Sequence, residues 1–336
     1  MTTTTKRAIG FTAAALATAL ALTGCGGQQQ RAAESPEAGS GDGCTAPAAQ
    51  LTIATGNSTG VYYVLGGAIA DLLSSDTELR VTAAETGASV QNIEQLVAGD
   101  YDIAFSLADT AADAIQGTGS FSEEQPIAAL GRIHTNSTQV IVRKDAGIAS
   151  VEDMKGKTVS TGSPKSGTEV IANRLLEAAG LDPAADVSAQ RLDLSSSVDG
   201  LRNGNIDAIF WSGGLPTPNI TELFTTDAGS VEFIDITPLL DGMHEFSPVY
   251  EEGTIPADTY GLDGDVKTII VPNMLLVRDD MDDATACGID TAIWGNIDRL
   301  EQVHASAGEF DPETAQQTDP VPLNKGAEEA LKELAE

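Results

Sequence analysis

The sequence predicts an α/β protein of two lobes with a ligand cleft between them. Three observations predict it. Short apolar strands alternate with helix-period segments from residue 51 onward. The pattern of strand, glycine-rich turn and helix occurs at 51–71 and starts again near Lys157, with its turn at 161–168. Two apolar runs, 138–143 and 269–278, each end in Val-Arg close to an acidic residue and are the candidates for strands that cross between lobes. At 336 residues the chain is long enough for about two domains of ordinary size.

The elements follow in order. Residues 25–50, rich in Gln, Ala, Gly, Ser and Pro without periodicity, read as a flexible tether. Leu51, Ile53 and Thr55 alternate with smaller residues, as in a strand. The turn 56–60 follows, and then Val61, Val64, Leu65, Ala68, Ile69 and Leu72 fall at helical spacing. A strand at 79–84 leads through a turn to Ser89, which can cap a helix carrying Val90, Ile93, Leu96 and Val97. A strand at 102–106 precedes a helix from Asp109. Separate strands are expected at 127–133 and 139–143, then a strand at 157–160 and a helix at 168–179 closed by Gly180. Strands at 188–192, 206–211 and 231–236 flank a helix at 195–203. Residues 251–259 read as an irregular arm, 266–277 as a strand interrupted by Pro272, 280–300 as one helix and 327–335 as a terminal helix. This places the first part of lobe 1 at 51–138, lobe 2 at 139–268 and the return to lobe 1 at 269–336.

Fifty acidic residues against 18 basic ones give a formal net charge of -32, which argues against nucleic acid as a partner. A small anion is not excluded, because backbone amides can hold one locally. Lys6 and Arg7 precede an apolar stretch, 8–22, too short to be a persuasive membrane span. It ends in Leu22-Thr23-Gly24-Cys25, which resembles the lipobox of bacterial lipoprotein signal peptides. The resemblance implies a signal peptide at 1–24, cleavage before Cys25 and lipid on its thiol; the alternative is an ordinary secretory signal. Either way the mature body is expected outside the cytoplasm. There Cys44 and Cys287 can form one disulfide, the alternative being two separate thiols. No metal or cofactor is implied: the three histidines are far apart and no C-x-x-C occurs.

Four stretches, TIATGNSTGVYYVLGGAIADLL, AAETGASVQNIEQLVAGDYDIAFSLAD, DMKGKTVSTGSPKSGTEVIANRLLEAAGL and LRNGNIDAIFWSGGLPTPNI, together resemble the TAXI solute receptors of TRAP transporters. TIPADTY at 254–260 and VPNMLLVR at 271–278 extend the resemblance to most of the mature chain. It implies a periplasmic-binding-protein-like fold of type II topology, closing around an organic anion such as glutamate or a 2-oxoglutarate-like dicarboxylate. It also implies a fused TRAP permease as membrane partner. The lipobox departs from the many soluble relatives and suits a Gram-positive cell; a monomer is expected.

Within the resemblance, Gly56, Ser58, Thr59, Gly60 and Tyr62 match the first ligand loop. Thr86 and Ser106 follow the second and third strands, whose ends line the cleft in such sheets. Ser163, Ser166, Gly167 and Thr168 form a second loop, read as a carboxylate cradle of amides and hydroxyls; it lacks the lysine of a phosphate loop. Trp211, Gly213 and Gly214 complete the expected ligand set. Lys165 is either a neutralising charge or a solvated loop residue. Arg132, His134, Gln139 and Arg143 are candidates for a distal carboxylate. Asp109 reads as a helix cap, because a carboxylate facing an anion would be repelled, and Glu85 meets the same objection unless the ligand carries an amine. Two other functions compete. Gly56-Asn57-Ser58-Thr59-Gly60 fits the G-x-S-x-G of a serine hydrolase, with histidines later in the chain. A lipid-anchored adhesion protein without a small ligand would also fit the anchor and the acidity.

Overall fold

The computed structural model describes residues 44–336. The signal segment, Cys25 and the first part of the tether lie outside the described residues. Ten strands are described: Gln50–Ala54 (β1), Arg80–Ala84 (β2), Ile103–Leu107 (β3), Ile127–Arg143 (β4), Thr158–Ser160 (β5), Ser188–Gln190 (β6), Ala208–Gly213 (β7), Val231–Phe233 (β8), Glu251–Ile255 (β9) and Val266–Arg278 (β10). The helices are Val61–Asp76 (α1), Ser89–Ala98 (α2), Ala108–Gln116 (α3), Gly167–Ala178 (α4), Leu194–Arg202 (α5), Pro218–Asp227 (α6), Leu240–His244 (α7), Ala257–Tyr260 (α8), Asp283–Trp294 (α9), Ile297–Glu301 (α10), Pro312–Ala315 (α11) and Lys325–Leu334 (α12).

The strands join in the order β2-β1-β3-β10-β4-β7-β5-β6. Each half repeats one plan. In the first, β1 lies parallel between β2 and β3, and β10 runs antiparallel beside β3. In the second, β5 lies parallel between β6 and β7, and β4 runs antiparallel beside β7. The strands β4 and β10 pair with each other along most of their length and so belong to both halves. Apolar side chains fill separate cores on each side. Leu65, Ile69, Phe105 and Ile293 belong to one, and Leu175, Leu176, Phe210 and Met243 to another. The α/β architecture of two lobes is the one the alternation predicts.

Local expectations differ from the structure at five places. The expected strands 127–133 and 139–143 are one strand, β4, of 17 residues. The polar run 134–139 reads as a break, but tertiary pairing buries it: β10 flanks it up to Ser137 and β7 from Ser137 onward. Pro272 does not interrupt β10; it coincides with a register shift between Pro272 and Met274. The expected arm at 251–259 contains β9, paired antiparallel to β10, and the short helix α8. The helix expected at 280–300 is two, with Asp282 capping the Thr285 N–H of α9 and Gly295 separating α9 from α10. Residues 44–49, expected in the tether, pack against α9: Ala46 is buried, and Cys44 is disulfide-bonded to Cys287. No helix among the described residues is long and apolar enough to cross a membrane.

Candidate functional site

The two glycine-rich turns face one another across a narrow cavity of about 40 Å³. From the first half it takes Gly56, Asn57, Gly60, Val61, Tyr62, Gly87, Ala88, Ser89 and Leu107. From the second it takes Ser163, Ser166, Gly167, Thr168, Trp211, Ser212, Gly213 and Gly214, with Asn136 of β4 between.

Helix starts dominate its chemistry. The chain enters α1, α2 and α4 directly from strand-following turns, so each helix presents unpaired N–H groups. Among the described residues no acceptor takes the N–H of Val61, Tyr62, Ser89, Val90, Gly167 or Thr168. All but Val90 of these residues line the cavity. Three positive helix ends therefore converge on one space. No charged side chain among the described residues lines it. Ser166 caps α4, its Oγ accepting from Glu169 N at 3.0 Å. Thr168 Oγ1 accepts from Ser212 N at 3.2 Å, tying α4 to the end of β7 and leaving the hydroxyl proton free to donate.

The halves touch around this space. Asn57 and Ser163 exchange hydrogen bonds at 3.2 and 3.3 Å. Gln91 N donates to Lys165 O at 3.1 Å. A Cβ on Gly167 would stand 2.4 Å from Leu107 Cδ1 and 2.7 Å from Ser89 Oγ, so only glycine allows this approach.

Ten of the expected ligand residues line the cavity: Gly56, Gly60, Tyr62, Ser163, Ser166, Gly167, Thr168, Trp211, Gly213 and Gly214. Four do not. Ser58 is exposed and its N–H donates to Glu85 Oε1 at 2.9 Å; Thr59 is its half-buried neighbour in the turn. The Thr86 hydroxyl donates to Asn92 Oδ1 at 2.6 Å, and the Ser106 hydroxyl to Leu107 O at 3.0 Å, so both are engaged within their own half. Trp211 is both wall and core: its ring packs in the second half while Nε1 donates to Thr217 Oγ1 at 3.2 Å.

None of the groups considered for a distal carboxylate reaches the cavity. Arg143 pairs with Asp145 at 3.0 Å and Asp207 at 3.6 Å. Arg132 lies beside another pocket, lined by Glu251, Pro272 and Asp319. Gln139 Oε1 accepts from Tyr260 at 2.7 Å. His134 is fully buried with both ring nitrogens unpartnered among the described residues, and burial pushes its pKa down to about 3. Lys165 Nζ pairs with Glu94 at 2.6 Å rather than facing a ligand. Asp109 is not a helix cap: it sits in the first turn of α3, fully buried, and binds Arg174.

The lining residues outside the expected ligand set include Asn57, Ser89, Asn136 and Ser212. A usable signal existed for Asn136, since a polar run inside a long apolar strand needs buried partners. Among the described residues no His, Cys, Asp and Glu cluster could hold a metal. Of the three histidines, His244 Nε2 lies 2.8 Å from Tyr250 O, His304 Nε2 lies 3.3 Å from Pro216 O, and His134 is buried.

Residues 53–334 match the profile described as the NMT1-like family. Among solved structures the chain is similar to PhnD1 from Prochlorococcus marinus (MIT 9301) in complex with methylphosphonate. That likeness has 11% identity and a TM-score of 0.52, over 85% of this chain and 98% of that one. It is also similar to a binding protein component of an ABC phosphonate transporter from Pseudomonas aeruginosa, with 15% identity, TM-score 0.51, and 86% and 96% covered. A protein from Bordetella bronchiseptica RB50 is similar at 21% identity, TM-score 0.51, with 84% and 89% covered. These likenesses show the fold, a periplasmic-binding-protein-like α/β fold consistent with type II topology.

Proposed function

The chain belongs to the NMT1-like family, and on that premise we propose that it is an extracytoplasmic solute receptor. It binds a small organic anion between its lobes and hands it to a membrane transporter, without catalysing a reaction. The observation that carries this reading is the convergence of three helix starts on one uncharged cavity between the two halves of the sheet. Such N–H groups stabilise an oxyanion without a cationic side chain. In this reading lobe 1 comprises 51–138 and 269–336, lobe 2 comprises 139–268, and β4 and β10 form the hinge.

The sequence motifs support a narrower proposal. The ligand is glutamate or a 2-oxoglutarate-like dicarboxylate, the partner is a fused TRAP permease, and the monomeric receptor is held to a Gram-positive cell membrane by lipid on Cys25. Thermal unfolding with a panel of organic acids tests the binding claim, because a ligand that binds only the native state raises the midpoint with its concentration. A dose-dependent rise with at least one small organic acid is the expected result; no rise with any of them refutes the receptor reading. Co-purification of the lipidated protein from its membrane with a TRAP permease, or instead with an ABC permease, decides the partner.

A further inference from the structure

Behind the cavity the polar side chains form a directed chain, and one atom sets its direction. Asn273 Nδ2 lies 2.9 Å from His134 O and 2.8 Å from Asn136 Oδ1. A backbone carbonyl only accepts, so the amide nitrogen of Asn273 must face it. The second proton on that nitrogen goes to Asn136, which must therefore turn its own oxygen toward Asn273. Asn273 Oδ1 remains to accept from the Tyr62 hydroxyl. That commits the Tyr62 proton, so the phenol offers the cavity no donor.

The consequence falls on Asn136, a cavity-lining residue only 3% exposed. Its Nδ2 is held on the side away from Asn273 and carries two protons. The acceptor it meets among the described residues is Ser212 Oγ at 3.4 Å, a long contact. A buried amide donor with a proton to place is thus presented where no carboxylate among the described residues lines the walls. An oxygen on the guest satisfies it. An ammonium at the same place would meet a donor and find no negative partner.

We propose that Asn136 is a specificity-determining residue that donates to an oxygen next to the acid group of the ligand, and that Asn273 is the residue that positions it. The site then selects an oxo acid over the amino acid of the same carbon skeleton. This rests on the receptor reading above and deepens it. The placement also ties occupancy to the hinge. Asn136 is one residue before the point where β4 passes from β10 to β7, and Asn273 sits in the irregular step between Pro272 and Met274.

The test is isothermal titration of two matched pairs, 2-oxoglutarate with L-glutamate and pyruvate with L-alanine, plus methylphosphonate, into the parent and four variants. In the parent the oxo acid of a pair should bind at least about tenfold tighter than its amino acid. Asn136→Asp keeps the acceptor for Asn273 and removes the donor, and should abolish or reverse that preference; Asn136→Ala should flatten it. Asn273→Leu should weaken oxo-acid binding in the parent background but not in the Asn136→Ala background, a coupling that a merely structural role would not produce. The assignment is overturned if the amino acid binds as tightly as its oxo partner, or if Asn136→Asp leaves the ratio unchanged in a folded protein. Binding of methylphosphonate alone keeps the receptor reading and removes this one. Binding of none of the five removes both.

Discussion

Arg174 Nη1 lies 2.9 Å from Asp109 Oδ2, joining α4 in one half of the sheet to α3 in the other. Arg174 Nη2 meets Asp113 Oδ2 at 2.6 Å, and the Tyr250 hydroxyl donates to Asp109 at 2.5 Å. The Phe246 ring covers the guanidinium at 5.6 Å. The same helix that opens on the cavity at Gly167 and Thr168 is thus held lower down by a buried ion cluster. Breaking such a cluster by removing one partner costs about 3–5 kcal/mol, because the remaining charges stay buried. That cost falls on the state in which the halves touch. Arg174→Met should therefore open the two halves as well as lower the unfolding midpoint. Solution scattering should give a larger radius of gyration than the parent's. An unchanged radius in the folded variant counts against the cluster as a closing contact.

Thr168 serves two partners, and its substitutions separate them. Thr168→Val keeps the shape, deletes the hydroxyl and leaves the buried Ser212 N–H without an acceptor. A stability loss of about 1–3 kcal/mol is expected. Binding of the acid that the parent recognises should weaken by about tenfold to a hundredfold. Thr168→Ser retains the oxygen and should recover most of both. Gly167→Asp should abolish binding, for a steric as well as an electrostatic reason, since any Cβ there meets Leu107. Denaturant titration and calorimetry on the three variants check these outcomes.

Asp290 on α9 is fully buried, and neither carboxylate oxygen has a hydrogen-bond partner among the described residues. Burial raises its pKa well above the ordinary carboxylate value. The folded state then binds this proton more tightly than the unfolded one. Its contribution is favourable only while the carboxyl is protonated and is lost progressively as pH rises above the unfolded pKa of about 3.9. Asp290→Asn removes that titration. The variant should unfold at a higher temperature than the parent at pH 7.5, with a smaller gap at pH 4.5. A gap that does not depend on pH contradicts the assignment.

The disulfide between Cys44 and Cys287 closes a loop across a separation of 243 residues and holds the start of the folded body to α9. Its removal should lower stability by about 2–5 kcal/mol. Peptide mapping without reductant should yield one linked pair, and Cys287→Ser should release residues 44–49 to proteolysis. A freely alkylated Cys44 in the native protein overturns this.

What could be read from the sequence was what is local. The turns at Gly56 and at Ser166 declare themselves through small polar residues between a strand and a helix, and both reach the cavity. The polar run through His134 and Gln139 looked like a break because its partners are distant: Asn136 meets Asn273 across 137 positions. The same limit hid the Arg174–Asp109 pair, 65 positions apart, and left Asp109 as a cap. Thr86 and Ser106 have the residue type and the strand-end position of ligand groups. Only the geometry shows that neighbours in their own half already take their hydroxyl protons.

The most direct test of the receptor reading is a crystal structure of the protein purified with whatever small molecule accompanies it. The account predicts density for an acid group between the lobes, its oxygens within hydrogen-bonding distance of the Gly167 and Thr168 amides, with Asn136 Nδ2 reaching an adjacent oxygen. Density for the acid beside Arg132 or Arg143, with the space between the helix starts filled only by water, would contradict it.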